Sequence, residues 1–584
     1  MVRKLFWQMS KAQIAASITV MSCLLIDSFV IGRLIGPEAL GAYGLANPIM
    51  TLFAALGNMM VCGIQVVFGK HMGRGDSRGM NVCFSSSIGI ALALSAAVIP
   101  VMFLAWQPIC GLLGAGQSTG AGSVFLMTRD YLWGYCAGIP LFFFYQMMVP
   151  YMQMLGKRKL IFISITVMTL TNMALDLASV YLLHWGLFGI GLGTELSYLV
   201  ALIVPLVFLL KKECPLRFSW KLIGWNSVRD IFRGGSSMIV SDSCYVLSIY
   251  CINRILLSIA GSIGVAAYSV MTTLTNLVFC IGLGTGAVTL TLSSVFYGDM
   301  DRASILALIR AMVSCSLRLI SAAVLLVELF APWLVAVFVG DNPDISPIAV
   351  SGLRLLTLSL IPAILSNGFR SYCHGIQRPM LPNLIAVMRF FIPTVPLAWA
   401  LGRLYGLNGV WIGVILGEMI TLLVICAAAW RQAGAISLSA ETFCLLEEDF
   451  DAEHAHCLDM TIREMDDVID ASEQMNAYCL KLGLDNKTAK LIGVCVEEIG
   501  VNIIKHGFSK DHRQHSIETH LTVKADHTIL RIRDDCVNFD PVKYLELHQD
   551  DDPVAHIGLR MTMRAVKEAN YVNSLGLNIL TLIL

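Results

Sequence analysis

Apolar runs long enough to cross a bilayer recur about twelve times before residue 432. They centre near residues 23, 55, 94, 140, 171, 200, 246, 277, 322, 361, 393 and 418. A hydrocarbon core about 30 Å thick takes roughly 20 helical residues. Within it every backbone N–H and C=O must find its partner inside the protein. A dozen such runs in one chain therefore predict an all-α polytopic bundle. The first run has a basic flank, is long and carries Asp27, so it reads as a retained helix rather than a cleaved signal peptide.

After Arg431 the runs stop, and the charge changes sign. Residues 1–440 hold 15 acidic and 27 basic residues, whereas residues 441–584 hold 26 acidic, 14 basic and nine of the twelve histidines. A net charge of zero thus divides into a basic membrane part and an acidic tail, which predicts two units in different solvents and not a nucleic-acid-binding protein. The seventeen cysteines are scattered without a CxxC pair, as expected of small buried hydrophobes in a reducing compartment. Basic residues cluster in alternate loops: Arg3, Lys4 and Lys11; Lys70, Arg74 and Arg78; Lys157 to Lys159; Lys211 to Arg233. The positive-inside rule then places both ends of the bundle in the cytoplasm of a plasma-membrane protein.

The membrane part repeats itself weakly. IGPEALGAYGLANPI (35–49) resembles AGSIGVAAYSVMTTL (260–274), MGRGD (72–76) resembles FYGDMD (296–301), and WGLFGIGLG (185–193) resembles YGLNGVWIG (405–413). These matches set Gly36 opposite Gly261, Gly186 opposite Gly406 and Gly189 opposite Gly409. Six helices return the chain to its starting side, so the halves are expected as parallel repeats, residues 1–215 and 216–432.

Few polar groups interrupt the runs. Asn172 and Asp176, four residues apart, share one helix face, and Thr194 lies on the next helix. A carboxylate at membrane depth costs roughly 2.5–3.5 kcal/mol on insertion scales, so it is expected to face a cavity, find a partner or do a job. Oxygen ligands alone suit a hard cation such as Na⁺, and a buried carboxylate equally suits a proton; the residues leave both open. Asp242, Arg389 and Glu418 also sit at membrane depth, as candidates for a site in the second half.

LLIDSFVIGRLIGPEALGAYGLANP (24–48), GKHMGRGD (69–76), LTNMALD (170–176), GLGTELS (191–197) and FRSYCHGIQRPMLPNLIAVMR (369–389) together resemble the multidrug and toxic compound extrusion (MATE) transporters, DinF-like members in particular. The resemblance covers about residues 1–432. It implies two six-helix lobes that export cationic or amphipathic small molecules in exchange for H⁺ or Na⁺. It also implies a coupling site at Asp27, Asn172, Asp176 and Thr194, with Na⁺ at Asp27 and Asp176 if sodium is the ion. A lipid-linked oligosaccharide flippase of the same superfamily is the alternative transport reading. No GxxxxGK[ST] loop occurs, which argues against an ATP-driven pump.

Beyond an acid-rich linker (433–457), residues 458–584 read as an α+β domain. LDMTI (458–462) is expected as a strand, and 464–484 and 487–507 as helices ending at Gly483 and Gly507. Strands are expected at 516–523, 528–534 and 577–584, with a helix at about 557–569. EEIGVNIIKHG (497–507), RDDCVNFDP (533–541) and HIGLRMTMRAV (556–566) resemble the GHKL-type ATP-binding domain of anti-sigma-factor serine kinases. That likeness implies Asn502 as the holder of nucleotide-bound Mg²⁺, Glu498 as the activator of a nucleophile in an active kinase, Asp534 as acceptor for the adenine amino group, and Gly558 as part of a lid over the phosphates. The usual glycines are replaced by Cys536, Asn538 and His556, which disfavours phosphotransfer more than binding. The tail is therefore expected to bind ATP-Mg²⁺ or a cytoplasmic regulatory protein. A tethered serine kinase with the bundle as its sensor is the rival reading.

Overall fold

The computed structural model describes residues 2–112, 121–211, 214–339, 343, 345–378, 380–446, 450, 456–508, 515–523, 528–537, 539–547 and 557–584. Asn538 and His556 lie outside them. The membrane part comprises α1 (Val2–Val30, prolonged by a π-helical turn, Ile31–Ile35), α2 (Pro37–Gly73), α3 (Ser77–Leu104), α4 (Trp106–Leu112), α5 (Ala121–Met154), α6 (Arg158–Tyr181) and α7 (Gly186–Leu209). It continues through α8 (Trp225–Gly298), α9 (Arg302–Val339), α10 (Ser346–Leu358), α11 (Leu360–Gly375), α12 (Met380–Phe390) and α13 (Thr394–Ala433).

Among the described residues ten helical stretches are long and apolar enough to cross a membrane, and eleven when α10 and α11, bent by 42°, count as one. One of the ten, Met380–Ala433, is 54 residues long, more than twice the roughly 20 a bilayer requires. Gly406 (φ 64°, ψ −145°) breaks it, and its two halves complete the dozen segments expected. Gly261 (φ 61°, ψ −151°) breaks the 74-residue α8 in the same way. Gly36 and Gly186, their counterparts in the first half, also have positive φ, at 126° and 55°. These are backbone conformations that a Cβ disfavours, so the repeat in sequence is a repeat of helix-breaking points.

The two lobes meet where the C-terminal half of α2 crosses the two ends of α8, and small residues let the backbones touch. An added Cβ would lie 2.1 Å from the Ile231 oxygen at Gly63, 2.2 Å from the Val295 oxygen at Gly73, 2.0 Å from the Met59 oxygen at Gly235 and 2.5 Å from the Lys70 oxygen at Gly298. Polar pairs stitch the same seam: Lys70 Nζ donates to Gln377 at 3.2 Å, and Gln65 to Thr291 at 3.3 Å. The other half of α2 and the middle of α8 carry exposed apolar residues, Leu40, Leu52, Tyr250 and Leu257 among them. The bundle is sealed at the end nearest the tail.

The tail is a five-stranded antiparallel sheet, β1 (Cys457–Ile462), β2 (Ile517–Val523), β3 (Thr528–Asp534), β4 (Glu568–Ser574) and β5 (Leu577–Ile583), in the order β1-β2-β3-β5-β4. It packs against α14 (Met465–Lys481) and α15 (Asn486–His506), with the short α16 (Pro541–Leu547) and α17 (Ile557–Ala565) beside them. One expectation is corrected. The helix expected to run to residue 569 ends at Ala565, because Glu568–Ser574 pairs with β5 as a strand. The linker, whose structure the sequence left open, is ordered in part against the bundle. Its 3₁₀ turn Thr442–Cys444 is buried against the bundle, where the Tyr372 hydroxyl donates to the Cys444 carbonyl and Phe443 meets Phe369.

Candidate ion site and nucleotide pocket

Asp27 lies on α1 one turn before the π-helical Ile31–Ile35, a bulge of the kind that recurs at functional sites. The Asn172 amide nitrogen, on α6, donates to Asp27 Oδ1 at 3.1 Å and to Asp176 Oδ2 at 2.9 Å. One neutral donor thus bridges two carboxylates that are both buried, Asp176 completely. Asp176 Oδ1 is buried with no hydrogen-bond partner. It faces α7, since a Cβ at Gly193 would sit 3.5 Å from it. Two carboxylates with one amide between them and one oxygen left over make an incomplete shell, which a cation or a proton would complete.

Thr194 is half-buried on α7, next to Gly193, but its hydroxyl donates to the Ile190 carbonyl of its own helix at 3.1 Å. The structure brings together three of the four expected residues by hydrogen bonds, and Thr194 flanks them. One turn along the same α1–α6 seam, the Cys23 thiol donates to Thr169 at 3.3 Å. Glu195, beside Thr194, turns to the other face of α7 and packs against Gly138, fully buried.

The second-lobe candidates divide. Arg389 Nε and Glu418 Oε1 form a buried pair at 2.8 Å, with the guanidinium also over Phe279 and Phe390. Asp242 is not part of it; its carboxylate accepts from Asn58 of the first lobe at 3.5 Å. Sequence reasoning also passed over His374, whose ring nitrogens meet Cys62 across the lobe seam at 3.1 Å and Ser237 of its own lobe at 2.5 Å.

In the tail a cavity of about 420 Å³ opens between α15 and the sheet, bordered by Asn502, Ile532, Asp534, Cys536, Tyr571 and Asn578 among others. That size falls in the range of small-molecule sites. Asp534 is buried, which pushes its pKa up against the opposing Asn578 amide and Cys536 N–H. Both donors use Oδ1, at 2.8 and 2.9 Å. Asn578 is itself fixed by the Tyr571 hydroxyl and the Asn573 amide. It was missed in the sequence, where a lone Asn among the apolar residues of β5 was the available signal. Glu498 does not border the cavity. Its carboxylate lies against the backbone of Gly558, where a Cβ would come within 1.9 Å of it.

The transport-family model named MatE matches residues 13–178 and 238–400, and a model described as a histidine kinase-like ATPase domain matches residues 463–584. A probable multidrug resistance protein NorM from Synechococcus sp. is 24% identical over 442 residues, which is 71% of this chain and 91% of that protein. The multidrug export protein MepA of Staphylococcus saprophyticus is 21% identical, over 68% of this chain and 87% of its own length. Among solved structures, an outward-facing multidrug resistance MATE transporter of the MOP superfamily superposes with a TM-score of 0.68 at 21% identity, covering 72% of this chain and 94% of that one. A MOP-superfamily transporter from Pyrococcus furiosus gives 0.67 at 20% identity, with the same coverage. The chain belongs to the MatE family of multi-pass membrane transporters and carries a histidine kinase-like ATPase domain after the bundle.

Proposed function

We propose that the chain is a plasma-membrane antiporter that exports cationic or amphipathic compounds in exchange for H⁺ or Na⁺, with both termini in the cytoplasm. The observation that carries this reading is the Asn172 amide bridging Asp27 and Asp176 beside an unpartnered buried oxygen. Charge entering that shell changes what α1 and α6 gain from staying together, which is how an ion gradient can bias one lobe between two shapes. The multidrug names of the NorM and MepA relatives support the substrate class. In proteoliposomes, uptake of a fluorescent cation should follow an imposed proton or sodium gradient. Asp176→Asn should abolish it while the protein still inserts and folds; unchanged uptake would sink the reading.

The C-terminal domain, on this reading, binds ATP-Mg²⁺ as a regulatory ligand. The cavity fits: Asp534 offers a buried acceptor for an adenine amino group, and Asn502 on the facing helix could hold a phosphate-bound Mg²⁺. Bound there, the metal would neutralise phosphate charge. The placement of Glu498 against Gly558 supports binding rather than phosphotransfer. Calorimetric titration of ATP-Mg²⁺ into the full chain in nanodiscs tests it, and absence of heat that Asp534→Ala would remove refutes it.

A further inference from the structure

Strand β3 works on both faces. Ile532 and Asp534 border the cavity, while Arg531 and Arg533 point the other way, into the second lobe. There the turn between α8 and α9 receives them. Arg531 Nη2 meets Asp299 Oδ1 at 2.9 Å, and Arg533 meets Asp299 Oδ2 at 2.8 Å, Asp301 Oδ2 at 3.3 Å and the Ser304 hydroxyl at 3.3 Å. Arg533 and Asp299 are buried by this contact.

The same domain grips the first lobe with different residues. The β4–β5 hairpin turns on Leu575 and Gly576, both with positive φ (59° and 81°). That two-residue turn ordinarily takes Asn-Gly, and a leucine there is strained. Leu575 is 1% exposed because its side chain is sunk in the apolar end of the bundle, and its N–H donates to the Met154 carbonyl at 2.8 Å. Gly156 touches Gly576, and the Asn570 amide donates to the Gly75 carbonyl at 3.2 Å. Beyond β3, Asp535 pairs with Lys4 of α1 at 2.8 Å. A strained residue persists where its surroundings over-determine it, so the hairpin is shaped for this contact.

We propose that the C-terminal domain is a clamp across both lobes at their sealed end, and that a nucleotide in the Asp534 cavity tightens it. This rests on the nucleotide reading of that cavity and adds what the cavity controls. Alternating access needs the lobes to part at the sealed end, and a rigid body bonded to both opposes that step. Docking holds β3 from its outer face and so preorganises the inner face that the ligand uses. By reciprocity, whatever docking gives to ligand affinity, the ligand returns to docking.

Hydrogen exchange on the full chain in nanodiscs, with and without ATP-Mg²⁺, tests the clamp in wild type, Arg533→Ala and Leu575→Asn. The second variant relieves the hairpin while removing its apolar tip, so domain unfolding cannot explain its effect. Without nucleotide, residues 70–76, 154–157 and 298–304 should exchange about tenfold faster in both variants, and ATP affinity should fall by about the same factor. In wild type ATP-Mg²⁺ should slow exchange at all three segments. Equal protection in wild type and both variants overturns the clamp. ATP binding that leaves the three segments unchanged overturns the tightening and spares the nucleotide reading. Failure of ATP to bind wild type overturns that reading together with the tightening, and the variants then judge the clamp alone.

Discussion

The seal between the lobes rests on backbone contact, which makes one methyl group a sharp probe. At Gly73 an added Cβ would lie 2.2 Å from the Val295 oxygen, 2.7 Å from the Asp299 nitrogen and 2.9 Å from the Gly298 carbonyl carbon. All three are main-chain atoms of α8 or its end, so no side chain can swing aside. Real Cβ contacts essentially never fall below 3.0 Å, so the helices must separate by about 0.8 Å, and overpacking of this kind costs typically 1–3 kcal/mol. The whole cost falls on the sealed state, which shifts the sealed-to-open ratio about 5- to 150-fold. Cys62 reports it: the thiol is 1% exposed and lies in the seam against His374. In Gly73→Ala, an impermeant maleimide added from the tail side should label Cys62 faster by that factor, read by mass spectrometry of the Cys62 peptide. Gly41→Ala on the same helix meets nothing within 4 Å and should label at the wild-type rate. Equal labelling of Gly73→Ala and wild type, in protein that melts normally, would refute the view that close glycine contact governs the seal.

Asn172→Leu removes the one donor shared by Asp27 and Asp176 and should cut gradient-driven export at least about tenfold with normal insertion, since charged hydrogen bonds contribute roughly 1.5–3 kcal/mol each; export within twofold of wild type would count against a joint site. Glu418→Gln takes the counter-ion from Arg389 in a buried pair and should cost about 3–5 kcal/mol of stability, while the apolar double variant Arg389→Met/Glu418→Leu should recover most of it, as thermal melts in detergent would show. In the tail, burial opposes charging of His520, but its hydrogen bonds to Asp459 and Cys457 and the charges of Asp459 and Asp301 outweigh it and push the pKa up to about 10 from 6.5. A raised folded value means stabilisation that is complete below about pH 6.5 and is lost as pH rises to about 10. Melting of the domain should fall across that window in wild type and fall less in Asp459→Asn, where Cys457 and Asp301 still favour the charged ring.

The dozen spans were legible because lipid imposes one solution on a long apolar run. Asn172 and Asp176 were legible as a pair because i and i+4 share a helix face. Thr194 was placed correctly on the adjoining helix, but spacing cannot say whether a hydroxyl turns to its neighbours or back to the i−4 carbonyl, and here it turns back. Strand β4 escaped because Glu568–Ser574 lacks an apolar alternation of its own and is held by pairing with β5. Arg531 and Arg533 alternate on β3, and alternation alone does not say what that face of the strand meets. Only the position of the domain against the α8–α9 turn makes them a buried ionic contact.

Duplication explains why one domain can hold both lobes. MGRGD in the first half and FYGDMD in the second fold into the same device, a turn with a positive-φ residue, Gly75 (68°) and Met300 (57°), followed by an aspartate that caps the next helix. Asp76 Oδ1 accepts from the Gly79 N–H and Asp301 Oδ1 from the Ser304 N–H, each at 2.8 Å. The second oxygens have diverged. Asp76 Oδ2 stays within its own lobe, on His71 at 2.9 Å, whereas Asp301 Oδ2 reaches out to Arg533. The first turn instead offers its Gly75 carbonyl to Asn570. A repeat that placed equivalent turns on the two lobes thus supplied two handles at one end of the bundle. Moving the lobes apart at that end must break one of these contacts or carry the domain with a single lobe, so the transport cycle and the docking equilibrium are linked whatever the exported ion or compound.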